Sequence, residues 1–230
     1  MPTFPEVAAG LQMPLADAMT TQRAIRRLRT DPVDDETVLE LLRLAVRAPS
    51  GSNEQNWEFV VVRDPDVKHQ LARLNRQAWS VGRRRYGREA AGDEQVRRTL
   101  DAIQWQADHF EDTPVVVVAC LRGRRPRFPA IAVASWYGSV FPAVQNLLLA
   151  ARAIGLGASL TTMPVWSAAL TRRTLGLPSG VHPVAAIPLG WPRGHYGPTT
   201  RAPVEPVTHL DRYGNRPYTA VSRATMDGAE

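Results

Sequence analysis

Between Ile131 and Ala153 apolar residues recur too densely for a narrow helical seam. Val133, Trp136, Tyr137, Val140, Phe141, Val144, Leu147, Leu148 and Ala151 form a wide stripe at helical spacing, the mark of a largely buried helix. Pro142 lies inside this run and must kink the helix or mark a join between two helices. A helix buried this thoroughly needs apolar elements on more than one side. Pro114 to Leu121 is a β-branched run that reads as a buried strand, and Phe59–Val62 and Val184–Leu189 read as further strands.

Other segments fill in the pattern. Pro32-Val33-Asp34-Asp35 is an N-terminal cap region, and Val38, Leu41, Leu42, Ala45 and Val46 behind it make one apolar helix face that ends before Pro49. Residues 66 to 111 are helical and polar, with a Gly-punctuated, Arg-rich middle and a second helix around Leu100, Ile103, Ala107 and Phe110. Gly155-Leu156-Gly157 stops the long helix; a strand at Ala158–Thr162 and a helix at about 166 to 175 follow. A short helix is expected over Thr21–Leu28, preceded by a Pro-containing extended arm, residues 1–19. The tail from Gly190 onward is too long for an idle loop in a compact domain and is expected to wrap something such as another subunit. The fold class is α+β in one domain, without internal repeats.

The chain carries a formal charge of +6, but Lys68 is the sole lysine among its 28 basic residues. That bias, with abundant alanine, resembles a GC-rich coding background more than a selected phosphate-gripping surface. The densest basic run, Gly82-Arg83-Arg84-Arg85-Tyr86-Gly87-Arg88, is short and lacks the interleaved aromatics of a nucleic-acid surface. Cys120 is the only cysteine, which excludes an internal disulfide and a cysteine-based metal site; within Val115–Leu121 it reads as a small buried hydrophobe. The five histidines fall at no metal-ligand spacing. No apolar run reaches the roughly 18 residues of a membrane span, and the N-terminus lacks the features of a secretory signal, so a cytoplasmic location is expected.

The chemistry-bearing segments are short. Ala48-Pro49-Ser50-Gly51-Ser52-Asn53-Glu54-Gln55-Asn56-Trp57 is a run of turn-formers and small hydrogen-bonding side chains between a helix and a strand. It could lie against a flat ligand, and it could equally be an ordinary loop. In Gln22-Arg23-Ala24-Ile25-Arg26-Arg27-Leu28, a helical reading places Arg23, Arg26 and Arg27 on one face, where guanidiniums could grip a phosphate; a solvated basic helix is the plain alternative. Leu160-Thr161-Thr162 ends a strand with two adjacent hydroxyls, and Arg201 stands alone in an irregular tail. No Gly-x-Ser-x-Gly elbow, nucleophile triad or Rossmann glycine pattern is present.

In order along the chain, these segments resemble the nitroreductase family of flavin-dependent oxidoreductases. The resemblance runs through Arg23–Leu28, Ala48–Trp57, Gln145–Ala151 with Gly155-Leu156-Gly157, Leu160-Thr161-Thr162, Leu189-Gly190-Trp191-Pro192 and Arg201-Ala202-Pro203-Val204, covering about residues 20 to 210. It implies a three-layer α/β/α domain with a mostly antiparallel central sheet, over residues 20–210, and a domain-swapped homodimer with FMN at its interface. Residues 211–230 are then a C-terminal tail. By position, Arg23, Arg26 and Arg201 would hold the FMN phosphate, with Ala24 offering a backbone N–H. Pro49, Ser50, Gly51 and Asn53 would line the ribityl chain and ring, with Gln55 reaching the ring edge or the substrate. Leu160, Thr161 and Thr162 would face the pyrimidine side.

The segment from about 75 to 112 occupies the family's variable cap, making Trp79, Tyr86 and Trp105 candidates for a substrate pocket. The implied activity is ping-pong hydride transfer from NADH or NADPH through FMN N5 to a nitroaromatic, quinone or similar small-molecule acceptor, with no separate catalytic side chain. Alternatives are a specialised flavoenzyme of the same fold (dehalogenase, dehydrogenase or flavin-degrading enzyme) and a basic nucleic-acid-binding module. Several positions depart from the family pattern: Gln22, Ala24 and Leu28 replace arginine, serine and phenylalanine, Asn56 stands in place of proline, and Thr199 lies where some members carry lysine.

Overall fold

The computed structural model describes residues 11–89 and 92–219. They fall into two compact units, one running to Gly197 and one beginning at Pro198.

The first unit is organised by a four-stranded sheet. Its strands are β1 (Trp57–Val62), β2 (Val115–Arg122), β3 (Gly157–Ala158) and β4 (Val181–Gly190), in the order β1-β2-β4-β3. Every pairing is antiparallel. β2 is central, and Val115 through Leu121 are fully buried, as expected for a strand covered on both faces.

The period-two alternation of β2 divides the core into two layers. Val115, Val117, Ala119 and Leu121 face one cluster, joined by Val38, Leu41 and Ala45 of helix α2 (Asp35–Ala45), Trp136 of α5 (Ala130–Gly138), and Val144, Leu147 and Ala151 of α6 (Phe141–Ala153). Val116, Val118 and Cys120 face the other, with Leu71 and Ala72 of α3 (Pro65–Glu89), Phe110 and Val165. The sheet thus lies between two helical layers, a three-layer α/β/α arrangement. Burial pushes the Cys120 thiol up to about 12, with Glu58 adding to the shift, so this cysteine packs as an uncharged apolar side chain.

Local sequence explains the element ends. Asp34 caps α2 by accepting from Thr37 N–H at 2.7 Å. Asp93 caps α4 (Glu94–Asp108) by accepting from Gln95 and Val96 N–H. Pro142 marks a join, standing in the first turn of α6, where a missing N–H costs nothing. Ser167 caps α7 (Ala168–Leu175), and Gly176 closes that helix in a left-handed conformation at φ 63°.

Three expectations are corrected. Part of the presumed extended arm is helical: α1 covers Leu15–Thr21, opened by Pro14, while residues 1–10 lie outside the described residues. The segment expected to be the short helix, Thr21–Leu28, is extended beyond Thr21. The Thr21 hydroxyl turns back to the Asp17 carbonyl and accepts from Arg152 Nε, and Gln22 leaves the helix with ψ 125°. The backbone then pairs with the sheet margin. Ile25 N–H donates to Ala158 O at 3.0 Å, Leu28 bridges to Pro192, and Arg29 N–H donates to Trp191 O at 2.7 Å. The strand expected over Ala158–Thr162 is also interrupted; β3 ends at Ala158, and Thr161 returns as an isolated bridge to Ala186.

The second unit contains a short 3-10 turn, Glu205–Val207. A second turn follows in which Leu210 N–H donates to Asn215 O and Asp211 takes φ 60°. Val204, Val207 and Tyr213 are 65%, 71% and 88% exposed. Among the described residues no helix is long and apolar enough to cross a membrane.

Candidate active site

The sheet brings some of the sequence-derived residues together and keeps others apart. At the β3 margin, the extended Arg23–Leu28 segment lies beside the Ala158–Thr162 turn through the Ile25–Ala158 hydrogen bond. The approach depends on Gly157, because a Cβ there would sit 2.7 Å from Leu28 Cδ2 and 2.8 Å from Ile25 Cγ2. Thr161 exchanges both backbone hydrogen bonds with Ala186, and its hydroxyl accepts from Met163 N–H at 3.3 Å. Leu160 and Thr162 are exposed.

Arg23 is exposed and Arg26 half-buried. The Arg26 guanidinium is held below its usual value by burial first and by the charge of Arg23 second. Neither arginine forms an ion pair with a carboxylate among the described residues. Two neighbouring cations, one of them desolvated, form a donor set that a phosphate dianion would relieve. Ala24 is exposed beside them. Extended backbone, and not a shared helical face, is what brings this pair together.

The loop from Pro49 to Asn56 stands at the other margin of the sheet, because it leads directly into edge strand β1. Three strand spacings, about 14 Å, separate the two margins. The loop is fixed from below: Gly51 N–H donates to Ser139 Oγ at 3.0 Å, and Ser139 in turn donates to Ser135 O. A Cβ at Gly51 would lie 3.0 Å from Ser135 Oγ. Ser50 Oγ accepts from Gln55 N–H, and Gln55 Nε2 donates to Asn53 Oδ1 at 3.2 Å.

Three non-glycine residues of the loop have positive φ: Ser52 at 51°, Asn53 at 55° and Gln55 at 48°. Such conformations are costly and cluster where a backbone is held for ligand contact. Pro49, Asn53 and Gln55 are exposed, whereas Asn56 is buried with its Oδ1 unpartnered.

The cap aromatics separate. Trp79 is 3% exposed, with its indole N–H donated to Gln104 Oε1 at 2.8 Å, so it packs between α3 and α4 and lines no open surface. Tyr86 is exposed on α3. Trp105 stacks on His109 at 4.1 Å, lies under the Arg193 guanidinium, and borders a cavity of about 360 Å³ with Ile25, Arg27 and His195. Arg201, in the second unit, is exposed, and its guanidinium donates to Thr200 O at 2.8 Å.

Sequence reasoning missed Ser135, Ser139 and the close approach at Gly157. It also passed over Arg124, Arg125 and Arg127, which were visible as a charge run between a strand and a proline.

The class of protein that this fold belongs to is defined by its relatives. The model of the nitroreductase family matches residues 19–191, so the chain belongs to the nitroreductase family and is an oxidoreductase of that family. An NADH dehydrogenase of Thermus thermophilus is 31% identical over 218 residues, covering 85% of this chain and 96% of that protein. Iodotyrosine deiodinase 1 of Rattus norvegicus is 26% identical over 186 residues; the match takes in 76% of this chain but only 61% of the rat protein's length. Among solved structures, oxidised iodotyrosine deiodinase bound to FMN and 3-iodo-L-tyrosine has a TM-score of 0.63 at 24% identity, covering 88% of this chain and all of that one, a likeness of fold.

Proposed function

We propose that the chain is an FMN-dependent NAD(P)H oxidoreductase that works as a domain-swapped homodimer. In this reading it passes reducing equivalents to a nitroaromatic, quinone or similar electrophilic acceptor. The observation that carries the reading is the division of the site between opposite sheet margins. One chain offers arginines and hydroxyls at the β3 margin and a strained polar loop at the β1 margin, so a second copy is needed to bring one of each together.

Two further features support two copies. Edge strand β1 pairs on one side only among the described residues, and the second unit exposes Val204, Val207 and Tyr213 for burial elsewhere.

The residues fit FMN. Arg23 and Arg26 meet its phosphate, with the Ala24 N–H alongside and Arg201 as a further cation. Leu160, Thr161 and Thr162 face the pyrimidine side of the ring from the same protomer. From the partner protomer, Pro49, Ser50, Gly51 and Asn53 close over the ribityl chain and ring, and Gln55 orients the ring edge or the acceptor. When bound, FMN supplies the hydride-accepting and hydride-donating centre. The chain's own contribution is to fix the phosphate by charge, hold polar atoms at the ring edge without reorganisation, and keep water from the reacting face. Tyr86 and Trp105 shape access for the acceptor.

The test is the absorption spectrum and eluted flavin of the purified protein, followed by anaerobic reduction with NADH and NADPH and an acceptor panel. A colourless protein that cannot be reconstituted with FMN ends this reading. Reductive dehalogenation is the second reading, favoured by the deiodinase relatives. A halogenated phenol in the panel, accepted in preference to nitroaromatics and quinones, would select it.

A further inference from the structure

Beyond the flavin loop, the chain from β2 to α5 reads Arg122-Gly123-Arg124-Arg125-Pro126-Arg127-Phe128. Its root is fixed at two points. Gly123 turns at φ 112° and donates its N–H to Gly180 O at 2.8 Å, while His182 Nε2 lies 3.1 Å from Gly123 O. Arg122 is engaged by Glu58 at 2.8 Å. Arg124, Arg125 and Arg127 are exposed and form no ion pair with a carboxylate among the described residues; Arg125 lies over the Tyr137 ring at 5.6 Å.

These three arginines border a cavity of about 1440 Å³ that Ser179, Gly180 and His182 also line. A second recess of about 450 Å³ shares Gly123, Arg124 and Pro126 with it and reaches Gly51, Ser52 and Asn56 of the flavin loop. The larger cavity exceeds the roughly 300–1,000 Å³ of an ordinary small-molecule pocket. It therefore has room for an extended ligand, and the shared residues Gly123, Arg124 and Pro126 connect it to the recess at the loop. Phe128, 87% exposed at the cavity wall, presents an aromatic face beside the guanidiniums.

An unneutralised guanidinium cluster next to an exposed ring suits a phosphorylated nucleoside. Planar forks grip the phosphate, and the ring stacks on the base. We propose that Arg124, Arg125 and Arg127 recognise the 2′-phosphate of NADPH, so that this enzyme selects NADPH over NADH as its electron donor. The use of that donor rests on the FMN reading above, whereas the binding itself does not.

The experiment titrates the purified protein by calorimetry with 2′,5′-ADP, which carries the distinguishing phosphate without the nicotinamide. Parallel titrations use 5′-AMP and inorganic phosphate, and flavin content is read from the spectrum. 2′,5′-ADP is expected to bind about tenfold or more tightly than 5′-AMP. The double variant Arg124→Ala/Arg127→Ala is expected to lose about 10- to 100-fold of that affinity with flavin content unchanged. Arg122→Ala, which removes an arginine already paired to Glu58, is expected to leave 2′,5′-ADP binding in place. Equal affinity for 2′,5′-ADP and 5′-AMP overturns the proposal, as does inorganic phosphate binding as tightly as 2′,5′-ADP. An equal loss in Arg122→Ala overturns it too, by revealing a general charge effect. A protein that cannot be reconstituted with FMN yet still discriminates through Arg124 and Arg127 would end the FMN reading and keep the 2′-phosphate site.

Discussion

The two sheet margins that carry the candidate flavin contacts are built in opposite ways. At the β3 margin, the segment 23–29 is secured by backbone hydrogen bonds to Ala158 and Trp191 and by one from Arg193 N–H to Arg27 O, and it is close only because Gly157 has no side chain. At the β1 margin, Pro49–Gln55 has no sheet partner among the described residues; it rests on the Ser139 hydroxyl and bends through three left-handed residues. The first arrangement draws its cost from charge, two neighbouring guanidiniums with one partly desolvated. The second draws its cost from conformation. A ligand that supplies negative charge relieves the first, and a flat surface that contacts loop atoms rewards the second. In the proposed homodimer, copies of both margins meet around one molecule that does both.

Gly157→Val tests the β3 margin hardest. The added Cβ would fall within 3 Å of Ile25 and Leu28 side chains, and overpacking of this kind costs about 1–3 kcal/mol. Thermal unfolding should show that loss, and eluted flavin should fall with it. Retained flavin in a destabilised protein would detach the arginine segment from the phosphate.

Arg26→Ala makes the complementary break. A hydrogen bond to a charged group contributes about 1.5–3 kcal/mol, so FMN affinity should drop about 10- to 100-fold. The flavin-free protein, relieved of a half-buried cation beside Arg23, should not lose thermal stability. A variant with unchanged FMN affinity would show that the phosphate lies elsewhere.

How much of this was legible in the sequence follows from the range of the interactions involved. The Asp34 cap, the β-branched run of β2 and the Pro142 join are local signals, and the chain folds accordingly. The Arg23–Leu28 segment was not local in this sense. Its arginine spacing suits a helix, but the winning interactions are with Ala158 and Trp191, more than 130 residues away. The sequence named two arginines that the structure keeps as neighbours, and the wrong geometry for them. Trp79 failed in the opposite direction. An indole in a polar segment suggests a pocket, yet Gln104 satisfies its one polar atom and lets it pack inside. Ser139 gave no signal, since nothing in its neighbourhood reveals that a loop 88 residues earlier will donate to it.

At the β1 margin the largest expected effect is smaller. Ser139→Ala removes the acceptor for Gly51 N–H and should cost about 1 kcal/mol. The loop should then be cut faster by limited proteolysis and the reduction of acceptor slowed, with the Arg26-dependent FMN affinity largely kept. Equal sensitivity of FMN affinity to Ser139→Ala and Arg26→Ala would erase the distinction between the margins.

A pH dependence separates them further. Burial pushes the Tyr196 phenol up to about 12, with Arg152 opposing the shift, and its hydroxyl donates to Leu156 O beside the β3 margin. An unfolded tyrosine titrates near 10. The folded-state value is raised, so this contribution is complete below about pH 10 and is lost as pH rises toward 12. Tyr196→Phe should remove that alkaline component of the unfolding profile and leave the profile below pH 10 parallel. An unaltered alkaline slope would assign it to another group.

The smallest effect belongs to Ser52→Gly. Glycine takes φ 51° without the penalty that serine meets, but it also gives the unfolded chain more freedom. The two changes oppose one another, so stability should shift by only a few tenths of a kcal/mol. Turnover should fall more than stability does, because a loop no longer confined to one bend samples conformations that cannot meet the ring. If turnover and stability both stay unchanged, the strain at Ser52 serves only the turn, and the β1 margin owes its shape to Ser139 and Asn53 instead.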